Sequence, residues 1–183
     1  MAGFHDQVLY FNPFDSKVKM KKISTLKNNT GVHSVANHEG IISIATLAAV
    51  NIVRITFFVP GEWRKSKEIT SPEDVKALAL NKNGSLLATM SKTGTFLRLF
   101  DVKSKAMIRE WRRGYSQVQV QNISFDQESQ LISVATNEEV VNVVRVSMES
   151  NREPNSFARI ELPPSEKEQG RICLLYTSDA ADE

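Results

Sequence analysis

The sequence predicts an all-β fold made of repeated four-stranded units, and three observations predict it. First, the run Val75-Lys76-Ala77-Leu78-Ala79-Leu80, the polar stretch Asn81-Lys82-Asn83-Gly84 and the run Ser85-Leu86-Leu87-Ala88-Thr89 recur 45 residues on as Val120 to Phe125, Asp126 to Ser129 and Gln130 to Val134. Second, the runs alternate with a period of two: Leu78 and Leu80 against Ala77 and Ala79, Ile123 and Phe125 against Asn122 and Ser124. That is the spacing of side chains on a strand. Third, the breaks between runs are turn chemistry, since Asn and Gly tolerate positive φ, and no segment carries a sustained helical apolar stripe. Units of about 40 to 45 residues with four short strands each are the signature of propeller blades.

Each element follows in order. Gln7-Val8-Leu9-Tyr10-Phe11 reads as the last-but-one strand of a blade, without the strands before it. A more degenerate copy of the repeat places strands at Val32-His33-Ser34-Val35 and at Gly40 to Ala45. Ser91-Lys92-Thr93-Gly94-Thr95 is a turn leading into the strand Phe96-Leu97-Arg98-Leu99-Phe100, which Asp101 ends. The 183 residues suffice for about three to four blades, so the chain reads as a piece of a larger propeller. Such a piece is expected to expose strand edges that a closed ring would pair, and to be poorly soluble alone.

The composition divides the chain into three. Residues 1–146 form the partial propeller. Residues 147–170 are polar, charged and proline-bearing, a long loop or disordered segment, with Phe157, Ile160 and Leu162 as isolated apolar positions. Residues 171–183 fit no blade position and resemble translated adapter sequence, so they are set aside from fold reasoning.

Composition also narrows function. With 41% hydrophobic and 24% charged residues the chain can pack an ordinary core, and a net charge of +2 does not call for nucleic acid. There is no run of 18 apolar residues, and no secretory signal pattern at Met1 to Asp6. The single Cys173 forms no internal disulfide, and His5, His33 and His38 lack metal-ligand spacing, so neither a metal nor a cofactor is expected. A cytoplasmic setting is the simplest reading. Asp74, Asp101 and Asp126 recur at turn-like places and read as turn residues. No phosphate loop or nucleophile elbow is present, and no enzyme is expected. Lys17, Lys19, Lys21, Lys22 and Lys27 read as an exposed strand face or as attraction to an anionic surface. They lack the interleaved aromatics of an RNA platform.

One pattern stands apart: Trp111-Arg112-Arg113-Gly114, adjacent arginines after a strand-like run. Neighbouring side chains on a strand point to opposite sides, so one guanidinium can face each flank of a blade. Each presents a planar fork of donors matched to phosphate oxygens. Taken with Ser91 to Asp101, this stretch resembles the PROPPIN family, whose signature is a Phe or Leu followed by Arg-Arg-Gly; here Trp111 takes the first place. The resemblance spans about Val8 to Val146 and is most specific from Val75 to Phe125.

The resemblance implies a WD-type propeller of seven blades. This chain would cover the end of the third blade to the first three strands of the sixth. It implies two lipid sites on the blade edges, one for Arg112 and one for Arg113. Ser91 and Thr95 match polar positions beside the first, and Ser71 stands where the family often has histidine. At the second, Ala135-Thr136-Asn137-Glu138-Glu139-Val140-Val141-Asn142 replaces the pattern Ser-Ser-Asp-x-Gly-Thr-x-His. Only Thr136 keeps a hydroxyl, and Glu138 and Glu139 add charge that repels an anion. The residues implied to hold headgroups are therefore Arg112, Arg113, Ser91, Thr95 and Thr136. The loop after Val146 falls where the family has a membrane-inserting loop, which Phe157, Ile160 and Leu162 would serve, with Arg152 and Arg159 near anionic headgroups.

The function this implies is reversible attachment to membranes carrying phosphatidylinositol 3-phosphate or the 3,5-bisphosphate, at preautophagosomal, endosomal or vacuolar surfaces, with autophagy-type protein partners. The alternative is a protein-interaction scaffold without lipid binding, in which Arg112 and Arg113 are a solvated strand end and Ser91, Thr95 and Thr136 bond to backbone.

Overall fold

Strand-forming sequence dominates the computed structural model, which describes residues 2–3, 7–10, 21–27, 32–59, 62–138, 140–146 and 158–161. Every regular element among them is a β-strand, and all strand pairs are antiparallel. The first sheet holds β1 (Ala2–Gly3), β2 (Gln7–Tyr10) and β3 (Lys21–Ser24) in that order. The second holds β4 (His33–His38), β5 (Ile41–Ala49) and β6 (Ile52–Val59), followed by two short strands that share the edge of β6. These are β7 (Glu62–Trp63), against Phe58 and Val59, and β8 (Lys67–Thr70), against Ile52 to Ile55. The third is β9 (Val75–Leu80), β10 (Leu86–Ser91), β11 (Phe96–Asp101) and β12 (Met107–Arg112). The fourth is β13 (Val120–Phe125), β14 (Leu131–Thr136), β15 (Val140–Arg145) and β16 (Ala158–Glu161).

The 45-residue period is a period of sheets. β9 packs between β4 and β13, so the first strand of each of these units lies beside the first strand of the next, as in a partial β-propeller. The alternation read from the sequence assigns the faces. Leu78, Leu80, Leu87 and Phe100 of the third sheet join Ala45, Leu47, Val53, Ile55 and Ile69 of the second in one core. Ala77, Ala79, Ala88, Met90, Leu97, Leu99 and Trp111 face the other way and pack on Ile123, Ile132, Val134 and Val144 of the fourth. Ile23 of β3 meets Ile44 of β5 between the first two sheets.

The turns carry the period in their backbone. Glu39, Gly84 and Ser129, each 45 residues from the next, have φ of 51°, 70° and 59°. Asn81 and Asp126, three residues before two of them, accept from the amides of Leu86 and Leu131 at 2.9 and 2.8 Å. The Asn81 amide also donates 3.1 Å to Ser129 Oγ, tying one turn to the next. Asp101 ends β11 and accepts from both the hydroxyl and the amide of Ser104. These bonds, the hydroxyl's first, hold its carboxyl below its ordinary value of 3.8. Asp74 pairs with Lys92 at 3.7 Å. Asp74 and Asp126 lie outside the strands, and Asp101 is the last residue of β11, at the turn that follows it.

Three expectations change. Gln7–Tyr10 does have a partner before it, since β1 pairs with β2. The stretch 147–170 is not loop throughout: Ala158–Glu161 pairs with Val140 to Val143 as the outer strand of the fourth sheet. That gives the last unit four strands where three were expected, and Ile160 and Arg159 lie on that strand opposite Val141 and Asn142. The physical reason is that β15 leaves an unpaired edge, which a four-residue segment satisfies despite its polar surroundings. Lys17, Lys19, Glu139, Arg152, Phe157, Leu162, Cys173 and the adapter-like residues 171–183 lie outside the described residues.

Three outcomes test this packing. Gly84→Ala should lower stability by roughly 1–2 kcal/mol from the left-handed backbone alone. A Cβ there would also lie 2.8 Å from Ser43 Oγ; chemical denaturation measures the loss. Trp111→Ala, at a side chain 1% exposed, should cost about 3–5 kcal/mol, read from the same transitions. For Asp101 the lowered carboxyl pKa means a contribution to stability that is present above 3.8 and lost as pH falls through the lowered value. Ser104→Ala should bring its titration back toward 3.8, as seen by carboxyl-carbon NMR.

Candidate functional site

The antiparallel register gathers the predicted residues at one end of the third sheet. Ser91 is the last residue of β10, Thr95 immediately precedes β11, and Arg112 is the last residue of β12, opposite Phe96. The backbone amide of Arg113 donates to Thr95 O at 2.8 Å, continuing the ladder by one more bond. Thr136 is the last residue of β14, 45 residues after Ser91, and so holds the same place in the next sheet. The two sheets approach here because Gly94 leaves no room for a side chain. With φ of 72°, its Cβ would stand 2.5 Å from Val118 Cγ2 and 2.8 Å from Val118 O. The amide of Val118 donates to Thr93 O at 3.0 Å.

The arginines go to opposite flanks, as the strand alternation predicts. Arg112 shares its face with Phe96 and Arg98. Its guanidinium carbon lies 5.4 Å from the Phe96 ring centroid and 3.8 Å from that of Tyr115. Arg112 is exposed, and no carboxylate among the described residues pairs with it. Two π faces therefore position a positive charge at the surface while leaving its N–H donors available. Arg113 is the reverse case. Its side chain is only 6% exposed. Nε donates to Gly94 O at 2.7 Å, Nη2 to Ser116 O at 2.9 Å and Nη1 to Glu138 Oε2 at 3.1 Å. It thus ties three segments together: the β10–β11 turn, the loop after β12 and the β14–β15 turn.

The hydroxyls are engaged within their turns. Ser91 Oγ accepts from the amides of Thr95 and Phe96 at 3.2 and 3.0 Å and lies 3.1 Å from Thr93 Oγ1. Thr93 Oγ1 in turn lies 2.7 Å from Thr95 Oγ1. Ser91 and Thr95 are both buried, and Thr136 Oγ1 accepts from the Glu138 amide at 3.4 Å. Three hydroxyls in a chain can relay donor directions, but Ser91 spends its acceptor capacity on the turn.

Sequence reasoning passed over Arg98, Phe96 and Tyr115. Arg98 is 4% exposed, held by Glu110 through Nε at 2.6 Å and by Glu73 through Nη2 at 3.3 Å, with its guanidinium 5.1 Å from the Phe96 ring. Its Nη1 is buried and has no hydrogen-bond partner among the described residues, and the same holds for Ser71 Oγ, two positions before Glu73. The signal was present: an arginine inside a strand whose two faces are both buried is rare unless paired. Glu73 follows β8 and Arg98 lies in β11, so this pair closes the flank of the third sheet that faces the second. Asn142, at the position where the family pattern has histidine, is buried and its amide nitrogen also lacks a partner among the described residues. No group of three or more His, Cys, Asp or Glu suited to a metal occurs among the described residues. No helix there is long and apolar enough to cross a membrane.

Comparison with known proteins places this geometry in a family. The PROPPIN family model matches residues 14–160. Among curated relatives, Autophagy-related protein 18 of Phaeosphaeria nodorum is 32% identical over 104 residues, which is 57% of this chain and 23% of that protein. Autophagy-related protein 18e of Arabidopsis thaliana is 22% identical over 170 residues, covering 86% of this chain and 46% of the relative. The chain thus spans less than half the length of these relatives. Among solved structures, Kluyveromyces lactis Hsv2 superposes with a TM-score of 0.61 at 15% identity, covering 88% of this chain and 56% of that one. The structure of KlAtg21 in complex with the coiled coil of AgAtg16 gives 0.62 at 17% identity, covering 87% and 51%. At these identities the superpositions establish the fold. Repeat, arginine pair and family match agree, and the chain belongs to the PROPPIN family.

Proposed function

We propose that this chain is the part of a phosphoinositide-binding propeller that docks on membranes, and that Arg112 is its principal headgroup ligand. The observation that carries this reading is the state of that side chain: exposed, free of any carboxylate among the described residues, and stacked between Phe96 and Tyr115. Arg98 on the same face is neutralised by Glu73 and Glu110 and adds no positive potential of its own, which leaves Arg112 as the cation of this flank. Ser91 and Thr95 support this flank by shaping the turn. Arg113 and Thr136 belong to the second flank. Phosphatidylinositol 3-phosphate and its 3,5-bisphosphate are the lipids proposed, at autophagic, endosomal or vacuolar membranes, with no bond chemistry. Family membership and the autophagy-related relatives support this assignment.

Protein partners are proposed as well. The structural neighbour solved in complex with a coiled coil supports a propeller that recruits proteins. A scaffold without lipid binding is the competing reading, and the internal bonding of Ser91, Thr93, Thr95 and Arg113 is what favours it.

Vesicle flotation separates the two readings. Arg112→Ala should lower recruitment to vesicles containing phosphatidylinositol 3-phosphate by about tenfold or more, since hydrogen bonds to charged groups contribute about 1.5–3 kcal/mol. Vesicles containing only phosphatidylinositol should recruit neither form. Equal recruitment of wild type and variant would favour the scaffold.

A further inference from the structure

We propose that Glu138 gates the second flank of the arginine pair, holding the guanidinium of Arg113 until a phosphomonoester displaces it. The inference rests on the headgroup reading above and concerns how the two flanks differ.

Arg113 has three partners of two kinds. Gly94 O and Ser116 O are backbone carbonyls of adjoining segments, at 2.7 and 2.9 Å, and they fix the plane of the guanidinium. Glu138 Oε2, at 3.1 Å on Nη1, is a side-chain carboxylate reaching across from the fourth sheet. Its side chain is 40% exposed, whereas that of Arg113 is 6% exposed. The carboxylate can therefore swing into water while the arginine stays, but the guanidinium then keeps only its two carbonyl partners, so the exchange is favourable only when another anion takes the vacated place. Carboxylate and phosphate offer a guanidinium the same fork of acceptor oxygens. Glu138 thus stands where the oxygens of a second headgroup would have to be.

The neighbouring hydroxyl belongs to the same device. Thr136 Oγ1 accepts from the amide of Glu138 at 3.4 Å, so the polar group expected to assist a phosphate on this flank is engaged with the residue that blocks it. Arg112 carries no such competitor among the described residues. The two arginines are adjacent in sequence but unequal in readiness, one open and one closed.

A tethered competitor acts at an effective concentration in the millimolar range. The first headgroup should bind Arg112, and the second should reach Arg113 only where phosphorylated lipid is dense enough to compete with Glu138. The pair would then report the local density of the lipid as well as its presence.

Isothermal titration of the full chain with inositol 1,3-bisphosphate, the soluble headgroup of phosphatidylinositol 3-phosphate, tests the gate. Wild type should show one tighter binding step and at most one weaker step. Glu138→Ala should tighten the second step by about tenfold and leave the first unchanged, and Glu138→Gln should fall between. If Glu138→Ala does not fold, the Gln variant alone decides, by the same shift. Isotherms of folded variants that superimpose on wild type, or a second step that weakens, would overturn the gate while leaving the headgroup reading intact. No binding by wild type or either variant would overturn the headgroup reading and the gate with it.

Discussion

In the third sheet, β9 has a neighbour on each face, and its composition answers to both. Leu78 and Leu80 fill the space toward the second sheet, while Ala77 and Ala79 allow the fourth to come close. Large residues on one side and small ones on the other let successive sheets pack against the same strand. Everything at the functional edge follows from this double burial. The predicted residues lie at strand ends, with Ser91 and Thr95 buried in the turn there and Arg112 exposed at the end of β12.

The charged residues of the edge are ordered by the same rule. Arg98 points into the interface with the second sheet and meets two half-exposed carboxylates, Glu73 and Glu110. Arg113 points into the interface with the fourth and meets Glu138 and two carbonyls. Both are buried and hydrogen-bonded, as a charge removed from water must be. Arg112 lies outside the two covered zones and leans on aromatic rings. Three arginines within sixteen residues of one another thus have three environments, set by which interface each one meets.

Much of this was legible in the sequence, for reasons that are local. Leu78 and Leu80 against Ala77 and Ala79 announce a strand by alternation alone, and Asn81 to Gly84 announces its turn. The opposite directions of Arg112 and Arg113 follow from the same parity. What the sequence did not disclose depends on contacts between distant segments. β16 has a polar and unremarkable sequence and is a strand because β15 offers it an edge. Arg98 looks like one more strand residue until Glu73, 25 positions earlier, is brought against it. The carboxylate of Glu138 was visible as a nearby negative charge, but its pairing with the second arginine and not the first depends on how the β14–β15 turn meets the loop after β12.

The turn positions Glu39, Gly84 and Ser129 share a left-handed backbone although their side chains have nothing in common. What is copied from unit to unit is a bend in the main chain, with residue identity free to drift around it. The bend persists although the β4–β5 connector has two residues and the β9–β10 and β13–β14 connectors have five each. The edge that carries the arginine pair lies at the opposite end of those strands, where local side chains diverge. Architecture and recognition are therefore free to evolve at separate ends of the same blade.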